Sequence, residues 1–246
     1  MILLKRSILP APTAAVIDLI ADESALAVFC MVGGTALALQ AGHRRSLDVD
    51  LMSFDDRLEK RSLNRAMRNL GATLVTPPSM ISAARINGID LLALVQDYVL
   101  DGVKVQFFVN PRARRLSSEA LNIAGWRFKL MAPAGLFALK SALLLRRARS
   151  RDYFDLMWFC THAGKTLEDI VEAARLEDDS PEVPAVVEHK LLGLIPVDPD
   201  DEGLDPLGPN LSLGDIYRFF EAEVSRREVA TARALLANAR RGPSES

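Results

Sequence analysis

The chain has 246 residues, with 30 Lys and Arg against 32 Asp and Glu, and 49% of its residues are hydrophobic. This composition fits a globular protein of one domain or two packed domains, and it excludes collagen-like, coiled-coil and wholly disordered chains. Two cysteines in apolar runs cannot build a disulfide framework or a zinc cluster, so we expect a reducing, cytoplasmic compartment. No targeting segment and no bilayer-spanning apolar run is visible, so no membrane role is expected.

The first part of the chain alternates helix and strand patterns, which predicts an α/β domain over residues 1–110. An Asp-Gly pair at 101–102 between two apolar runs is a strong hairpin signal. The predicted elements are, in chain order, a helix over 12–22, a buried strand over 26–32, a turn at Gly33-Gly34, a helix over 35–40, a strand over 47–51, a helix over 57–70, and hairpin strands over 90–100 and 103–109.

The remainder, residues 111–246, is predicted to be a helical domain with an acidic loop. Ser150 and Ser212 are placed to cap helices. The predicted elements are helices over 134–147, 151–162 and 166–176, a loop over 178–210 with an apolar interruption, a last helix from 212 to about 238, and a disordered tail over 241–246.

Charge is distributed unevenly along the chain. Residues 112–151 contain ten basic residues and one acidic residue, whereas residues 166–210 contain thirteen acidic and two basic residues. The basic stretch predicts contact with a polyanion, and the acidic stretch predicts either a solvated region or contact with a basic partner. Two ordinary solvated faces would give the same counts.

The turn Gly33-Gly34-Thr35 is the first candidate for chemistry, because a strand ends there and a helix begins. Glycines let a backbone approach a phosphate closely, and a helix N-terminus supplies N–H groups and a positive dipole. A tight turn without a ligand would look the same. No lysine follows in the pattern of a P-loop, so that motif is excluded.

The carboxylates of Asp48 and Asp50 are the second candidate. Residues i and i+2 of a strand project from the same face, about 7 Å apart at Cα. At that spacing two carboxylates can share Mg²⁺, which takes oxygen ligands and bridges to phosphates. Exposed acids on an edge strand are the alternative interpretation.

A third candidate lies in the predicted helices around Lys140 and Asp155. A lysine facing the carboxylates would neutralise triphosphate charge, whereas a surface lysine on an apolar helix is the alternative. Asp152 has a structural explanation as a helix-start carboxylate. Asp155 lies among aromatic and apolar residues, where an acid is harder to explain.

Together these segments resemble the AbiEii/AbiGii toxin family of nucleotidyltransferase-like proteins. The resemblance implies an α+β fold, with a polymerase-β-like nucleotidyltransferase core built on a mixed sheet and an all-helical C-terminal half. The residues that carry it are Gly33-Gly34-Thr35-Ala36-Leu37, Gly42-His43-Arg44-Arg45-Ser46, Asp48-Val49-Asp50-Leu51, Lys140 and Arg151-Asp152-Tyr153-Phe154-Asp155-Leu156.

The resemblance also implies a function for this chain: a Mg²⁺-dependent transfer of a nucleoside monophosphate from an NTP to an acceptor hydroxyl. Known members of the family act as toxins of bacterial toxin–antitoxin or phage-defence pairs, with a cognate antitoxin encoded beside them. Some members add nucleotides to the tRNA 3′ end, so the resemblance implies an RNA or tRNA acceptor and an antitoxin partner. The implied roles are cradling the triphosphate for Gly33, Gly34 and Thr35, nucleotide binding for Arg44 and Ser46, Mg²⁺ binding for Asp48 and Asp50, phosphate contact for Lys140, and orientation or activation of the acceptor for Asp155.

One position departs from the family pattern. A third carboxylate is usual on a later strand, and here the corresponding position is Gln106, whose neutral amide supplies no charge to a second metal. Asp90 and Asp101 are the candidate replacements, but Asp101 is needed for the turn and Asp90 opens the predicted strand. The alternatives are therefore a weakened or inactive nucleotide-binding protein of the same fold, or transfer to a protein acceptor.

Overall fold

The computed structural model describes residues 3–204 and 210–241, which divide into two compact units. The first covers residues 3–140 and the second covers 141–204 and 210–241. The elements are α1 (Ala11–Ile20), β1 (Phe29–Val32), α2 (Gly33–Ala41), β2 (Val49–Ser53), α3 (Lys60–Asn69), β3 (Thr73–Leu74), α4 (Pro78–Ile86), β4 (Val95–Leu100), β5 (Val103–Val109), β6 (Ala120–Asn122), β7 (Lys129–Met131), α5 (Pro133–Leu143), α6 (Ser150–Ala163), α7 (Leu167–Ala174), α8 (Val183–Leu191) and α9 (Leu213–Arg241).

The seven strands of the described residues belong to one mixed sheet in the order β3-β4-β5-β2-β1-β7-β6. β2 is antiparallel to β1 and parallel to β5, and β5 is antiparallel to β4. The expected α+β fold with a mixed sheet is therefore confirmed. The register places Asp50 opposite Val32 on one side and opposite Gln106 on the other.

The hairpin between β4 and β5 follows the sequence prediction. Asp101 and Gly102 have φ angles of 47° and 78°, the left-handed conformation that a two-residue turn between twisted strands requires. With two residues in the loop, Leu100 pairs with Val103 and each earlier residue of β4 pairs with the corresponding later residue of β5.

The two faces of the central strands differ in chemistry. On one face, Leu51, Tyr98 and Phe107 are fully buried, and the rings of Tyr98 and Phe107 meet edge to face with centroids 5.9 Å apart. Because successive side chains of a strand alternate between faces, the residues next to them project the other way. That second face carries Asp50 and Gln106, which are only partly buried.

The second unit is helical. α6 and α8 both contact α9, and α7 contacts α8. A capping box begins α7, in which the Thr166 hydroxyl and the Asp169 carboxylate each accept a backbone N–H of the other residue. Ser212 and Asp215 make the same reciprocal pair at the start of α9, which confirms the predicted cap there.

Several elements differ from the sequence prediction. The sheet continues past residue 110, because β6 and β7 pair with each other and β7 pairs with β1, so the compact units divide at Lys140 and not at residue 110. α4 was not predicted, because Pro77 and Pro78 indicate a loop; Pro78 is instead its first residue, where the missing N–H costs nothing.

The predicted cap at Ser150 is wrong. Ser150 is the first residue of α6, and its backbone N–H donates to the Asp201 carboxylate at 3.2 Å. Its hydroxyl is buried and has no hydrogen-bond partner among the residues that the structure describes. An acid fifty-one residues later therefore does the capping. The predicted disordered tail falls mostly on residues 242–246, which lie outside the described residues.

In the described part of the chain, the helices are all too short or too polar to cross a membrane.

Candidate functional site

The site begins where β1 ends and α2 starts. Gly33 has a φ angle of 72°, which is unfavourable for any residue with a Cβ. The carboxylate of Asp50 lies directly against its Cα, so that a Cβ built on Gly33 would overlap an Asp50 oxygen. Pairing between Val32 and Asp50 across β1 and β2 creates this contact. Gly33 therefore allows the Asp50 carboxylate to approach the first turn of α2.

Gly34 allows a second side chain to lie close to the backbone, and this one is basic. A Cβ on Gly34 would lie 2.6 Å from Nη2 of Arg44 and 2.9 Å from Oγ of Ser46. Arg44 and Ser46 are both buried, and Nη1 of Arg44 donates to the carbonyl of Arg45 at 2.9 Å. The Arg44 guanidinium and the Ser46 hydroxyl thus lie against the backbone at the start of α2.

Thr35 connects this turn to the acidic segment. Its hydroxyl donates a hydrogen bond to the backbone carbonyl of Asp48, and the side chain is fully buried. The residue before α2, Val32, has no side-chain acceptor to cap the helix. The first N–H groups of α2 therefore rely on something other than a cap, as helix N-termini that hold anions do.

The structure thus brings seven of the sequence candidates together within the first unit. The Asp50 carboxylate lies against Gly33, and the Arg44 guanidinium lies against Gly34. The Thr35 hydroxyl connects the same turn to the backbone carbonyl of Asp48. The seven are Gly33, Gly34, Thr35, Arg44, Ser46, Asp48 and Asp50. This arrangement can hold a group that has both anionic oxygens and a cation, as a metal-bound phosphate does.

A row of polar side chains continues from Asp50 across the sheet. Gln106 is the neighbour of Asp50 on β5, and Asp97 is the neighbour of Gln106 on β4. Nε2 of Gln106 donates to Oδ1 of Asp97 at 2.7 Å, and Nζ of Lys104 lies 3.4 Å from Oδ2 of Asp97. The Asp97 carboxylate is thus one strand beyond the expected position, and an amide and an ammonium engage it.

Sequence reasoning missed Asp97, although a signal was present. Asp101-Gly102 fixes a two-residue loop, and counting back from it pairs residue 97 with residue 106. The acids considered instead have other roles: Asp101 forms the turn itself, and Asp90 forms an ion pair with Lys60, whose hydrogen bond lowers the pKa of the Asp90 carboxyl.

Lys140 and Asp155 lie in different units. Lys140 is buried in the last turn of α5, within the first unit. Asp155 belongs to the second unit, where it is fully buried on α6 beside Tyr153, Phe154 and Leu156. Their roles in phosphate contact and acceptor orientation stay predictions.

Within residues 3–204 and 210–241, no group of three or more His, Cys, Asp or Glu side chains is arranged to hold a metal ion. Burial raises the pKa of the Cys30 and Cys160 thiols to about 12, so neither is an activated thiolate. The carboxylate pair of Asp48 and Asp50 is the arrangement on which a metal proposal rests.

The basic stretch of residues 112–151 is largely neutralised within the protein. Six of its ten basic residues form ion pairs with acids of the chain, several of them in the acidic stretch. The pairs are Arg114–Asp56, Arg127–Asp22, Arg146–Glu177, Arg147–Asp152, Arg149 with Asp198 and Asp200, and Arg151–Glu202. More than half of the basic residues behind the charge surplus are therefore paired with acids of the chain itself.

Comparison with known proteins identifies the family. The family model described as nucleotidyl transferase AbiEii toxin, type IV TA system, matches residues 18–237. No curated protein matches the chain.

Two solved structures match the chain over most of its length. A protein from H. pylori assigned as a nucleotidyltransferase has 16% sequence identity and a TM-score of 0.47, over 87% of this chain and 90% of that one. The MenT4 nucleotidyltransferase toxin of Mycobacterium tuberculosis has 17% identity and a TM-score of 0.45, over 92% and 95%. The family model covers most of the sequence, including Gly33-Gly34, the segment 48–50 and the segment 152–155. The chain therefore belongs to the AbiEii family of toxin nucleotidyltransferases.

Proposed function

We propose that this protein transfers a nucleoside monophosphate from an NTP to a hydroxyl group of RNA, with tRNA as the expected acceptor, and that it requires Mg²⁺. The acceptor oxygen forms a bond to the α-phosphorus while the bond from that phosphorus to the β-phosphate bridging oxygen breaks, so pyrophosphate leaves. The observation that carries the proposal is the placement of Asp50 and Arg44 on adjacent glycines at the start of α2.

The donor set fits Mg²⁺, since the side chains at this turn offer carboxylate and hydroxyl oxygens and no sulfur or imidazole group is required. Asp48 and Asp50 would hold the ion. When bound, Mg²⁺ neutralises charge on the phosphates. Arg44 and the first N–H groups of α2 would bind phosphate oxygens directly, because a guanidinium and a helix N-terminus both favour anions.

The biological setting follows from the family and the substrates. We propose that a cognate antitoxin is encoded with this toxin in a bacterium and that the protein acts in the cytoplasm. NTPs, Mg²⁺ and RNA occur together there, and both cysteines are free thiols as a reducing compartment requires.

A direct transfer assay tests the proposal. The protein is incubated with total tRNA, Mg²⁺ and each of the four α-labelled NTPs in turn, and RNA and protein are then separated. We expect label in the RNA with at least one NTP, and none when EDTA removes the metal. Label in the protein fraction alone would replace RNA with a protein acceptor.

A second candidate function is nucleotide binding without transfer. The hydrogen bond from Gln106 to Asp97 favours this second function. An amide occupies the usual position of the third carboxylate, so Asp48 and Asp50 have no third carboxylate there. Calorimetry with NTP and Mg²⁺ separates the two functions. Binding of NTP with no label in any acceptor would support this candidate against the first.

Asp97 provides a prediction about the number of carboxylates that the reaction needs. We expect Asp97→Asn to lower the transfer rate less than about tenfold, because Lys104 and Gln106 already engage this carboxylate. Initial rates at saturating NTP, compared with those of Asp50→Asn, provide the measurement. A loss as large as that of Asp50→Asn would make Asp97 a third metal-holding carboxylate.

A further inference from the structure

Three arginines form a stripe along α3 that no part of the site described above uses. Arg61, Arg65 and Arg68 are all exposed. Their spacing of four and then three residues places them on one face of the helix, within about 60° on the helical wheel and over about 10 Å of its length. We call these three residues the arginine stripe.

The opposite face of α3 anchors the helix. Leu63, Ala66 and Met67 are buried, and on the helical wheel they centre about 180° from the arginine stripe. The guanidinium groups therefore point away from the core. The stripe belongs to a helix that packs on the core, so the backbone positions of the three arginines are fixed relative to one another.

The charges of the stripe are not neutralised by the parts of the chain that the structure describes. No acid there forms an ion pair with Arg61, Arg65 or Arg68, whereas Lys60 on the same helix pairs with Asp90. This contrasts with the stretch 112–151, where most of the arginines have acidic partners. The arginine stripe is therefore a second candidate for polyanion contact, beside the stretch 112–151 that the sequence indicated.

We propose that the arginine stripe binds the phosphate backbone of the RNA acceptor. This inference rests on the proposed function, since it names where the body of the acceptor binds. Guanidinium groups bind phosphates through paired N–H donors, and phosphate contacts dominate the affinity of proteins for nucleic acids.

Polar neighbours favour RNA over an acidic protein as the occupant. The exposed residues beside the stripe on α3 include Ser62 and Asn69. A protein interface would need an apolar centre, which this face of α3 lacks. Hydroxyl and amide side chains beside arginines are typical of backbone-positioning contacts to phosphates.

The test uses a triple variant and a control of equal charge. In the stripe variant Arg61, Arg65 and Arg68 are replaced by Gln, a residue with similar helix propensity. The control replaces three arginines of similar exposure that each pair with an acid: Arg114 with Asp56, Arg218 with Asp215, and Arg226 with Glu223. Thermal unfolding verifies that both variants are folded.

Binding of a fluorescently labelled tRNA transcript is titrated at several salt concentrations, without NTP. We expect the stripe variant to bind at least about tenfold more weakly, and its plot of log affinity against log salt to be shallower by about 2 to 3 units of slope. The control should bind like the unmodified protein. A third variant with Lys at the three positions should restore most of the affinity, because its charge is retained.

Three results would overturn the inference. The first is an unchanged salt slope in the stripe variant, and the second is an equal loss in the control, which would assign the effect to net charge alone. A polyglutamate competitor that displaces tRNA from the stripe at equal charge concentration would favour an acidic protein partner and also contradict it. Because this titration involves no turnover, failure of the transfer assay and failure of the stripe are separate outcomes.

Discussion

Replacement of Asp50 by Asn is expected to lower the rate of nucleotide transfer by about 10³-fold, which corresponds to about 4 kcal/mol of transition-state stabilisation. The substitution keeps the size of the side chain that packs on Gly33 but removes the charge that a cation needs. Single-turnover rates with saturating NTP and tRNA measure the effect. Binding of Mn²⁺, followed by electron paramagnetic resonance, should weaken in parallel.

The matched control for this variant is Asp90→Asn. It removes the same charge from the same unit, but the Asp90 carboxylate pairs with Lys60 at the surface, so we expect a rate within about twofold of the unmodified protein. Undiminished transfer by Asp50→Asn, or equal losses in both variants, would refute the assignment of Asp50 to the metal.

Replacement of Gly33 by Ala is expected to destabilise the protein by about 2–5 kcal/mol. The left-handed backbone of Gly33 costs a residue with a Cβ about 1–2 kcal/mol, and overlap of that Cβ with the Asp50 carboxylate adds about 1–3 kcal/mol. The shift of the urea midpoint, followed by circular dichroism, gives the change in the free energy of unfolding.

Two further variants separate the causes. Gly88 has the same φ of 72° but open space around it, so Gly88→Ala should show the backbone cost alone. In the double variant Gly33→Ala with Asp50→Gly, the overlap is removed and the cost of the Gly33 substitution should fall toward that of Gly88→Ala. Equal costs for Gly33→Ala with and without the Asp50 side chain would contradict the close packing described above.

Local patterns were sufficient for much of the first unit. The Asp101-Gly102 pair and its apolar flanks determine the hairpin, because few residues adopt the positive φ angles that its turn needs. The alternation around Asp50 likewise indicated a strand, but β2 covers Val49–Ser53 and not 47–51, and Met52 on the same face as Asp50 is buried as well. Gly33-Gly34 marked the turn into α2, although what lies against those glycines was not predictable from the turn itself.

Other features depend on residues that are distant in sequence. α6 begins at Ser150, but the acceptor for its first N–H is the carboxylate of Asp201, which no pattern near residue 150 reveals. β7 joins the sheet beside β1, almost a hundred residues earlier, and its three residues are too few to give a period.

The sequence by itself determined the family of this protein, the mixed α+β fold and the identity of the residues at the glycine turn, because these are carried by short motifs and local periodicity. Only the tertiary structure decided which charges are neutralised. Arg149 forms ion pairs with Asp198 and Asp200, whereas the arginines of α3 form none with any described residue. The physical reason is that an ion pair depends on the distance between two groups in space, whereas a sequence orders them only along the chain.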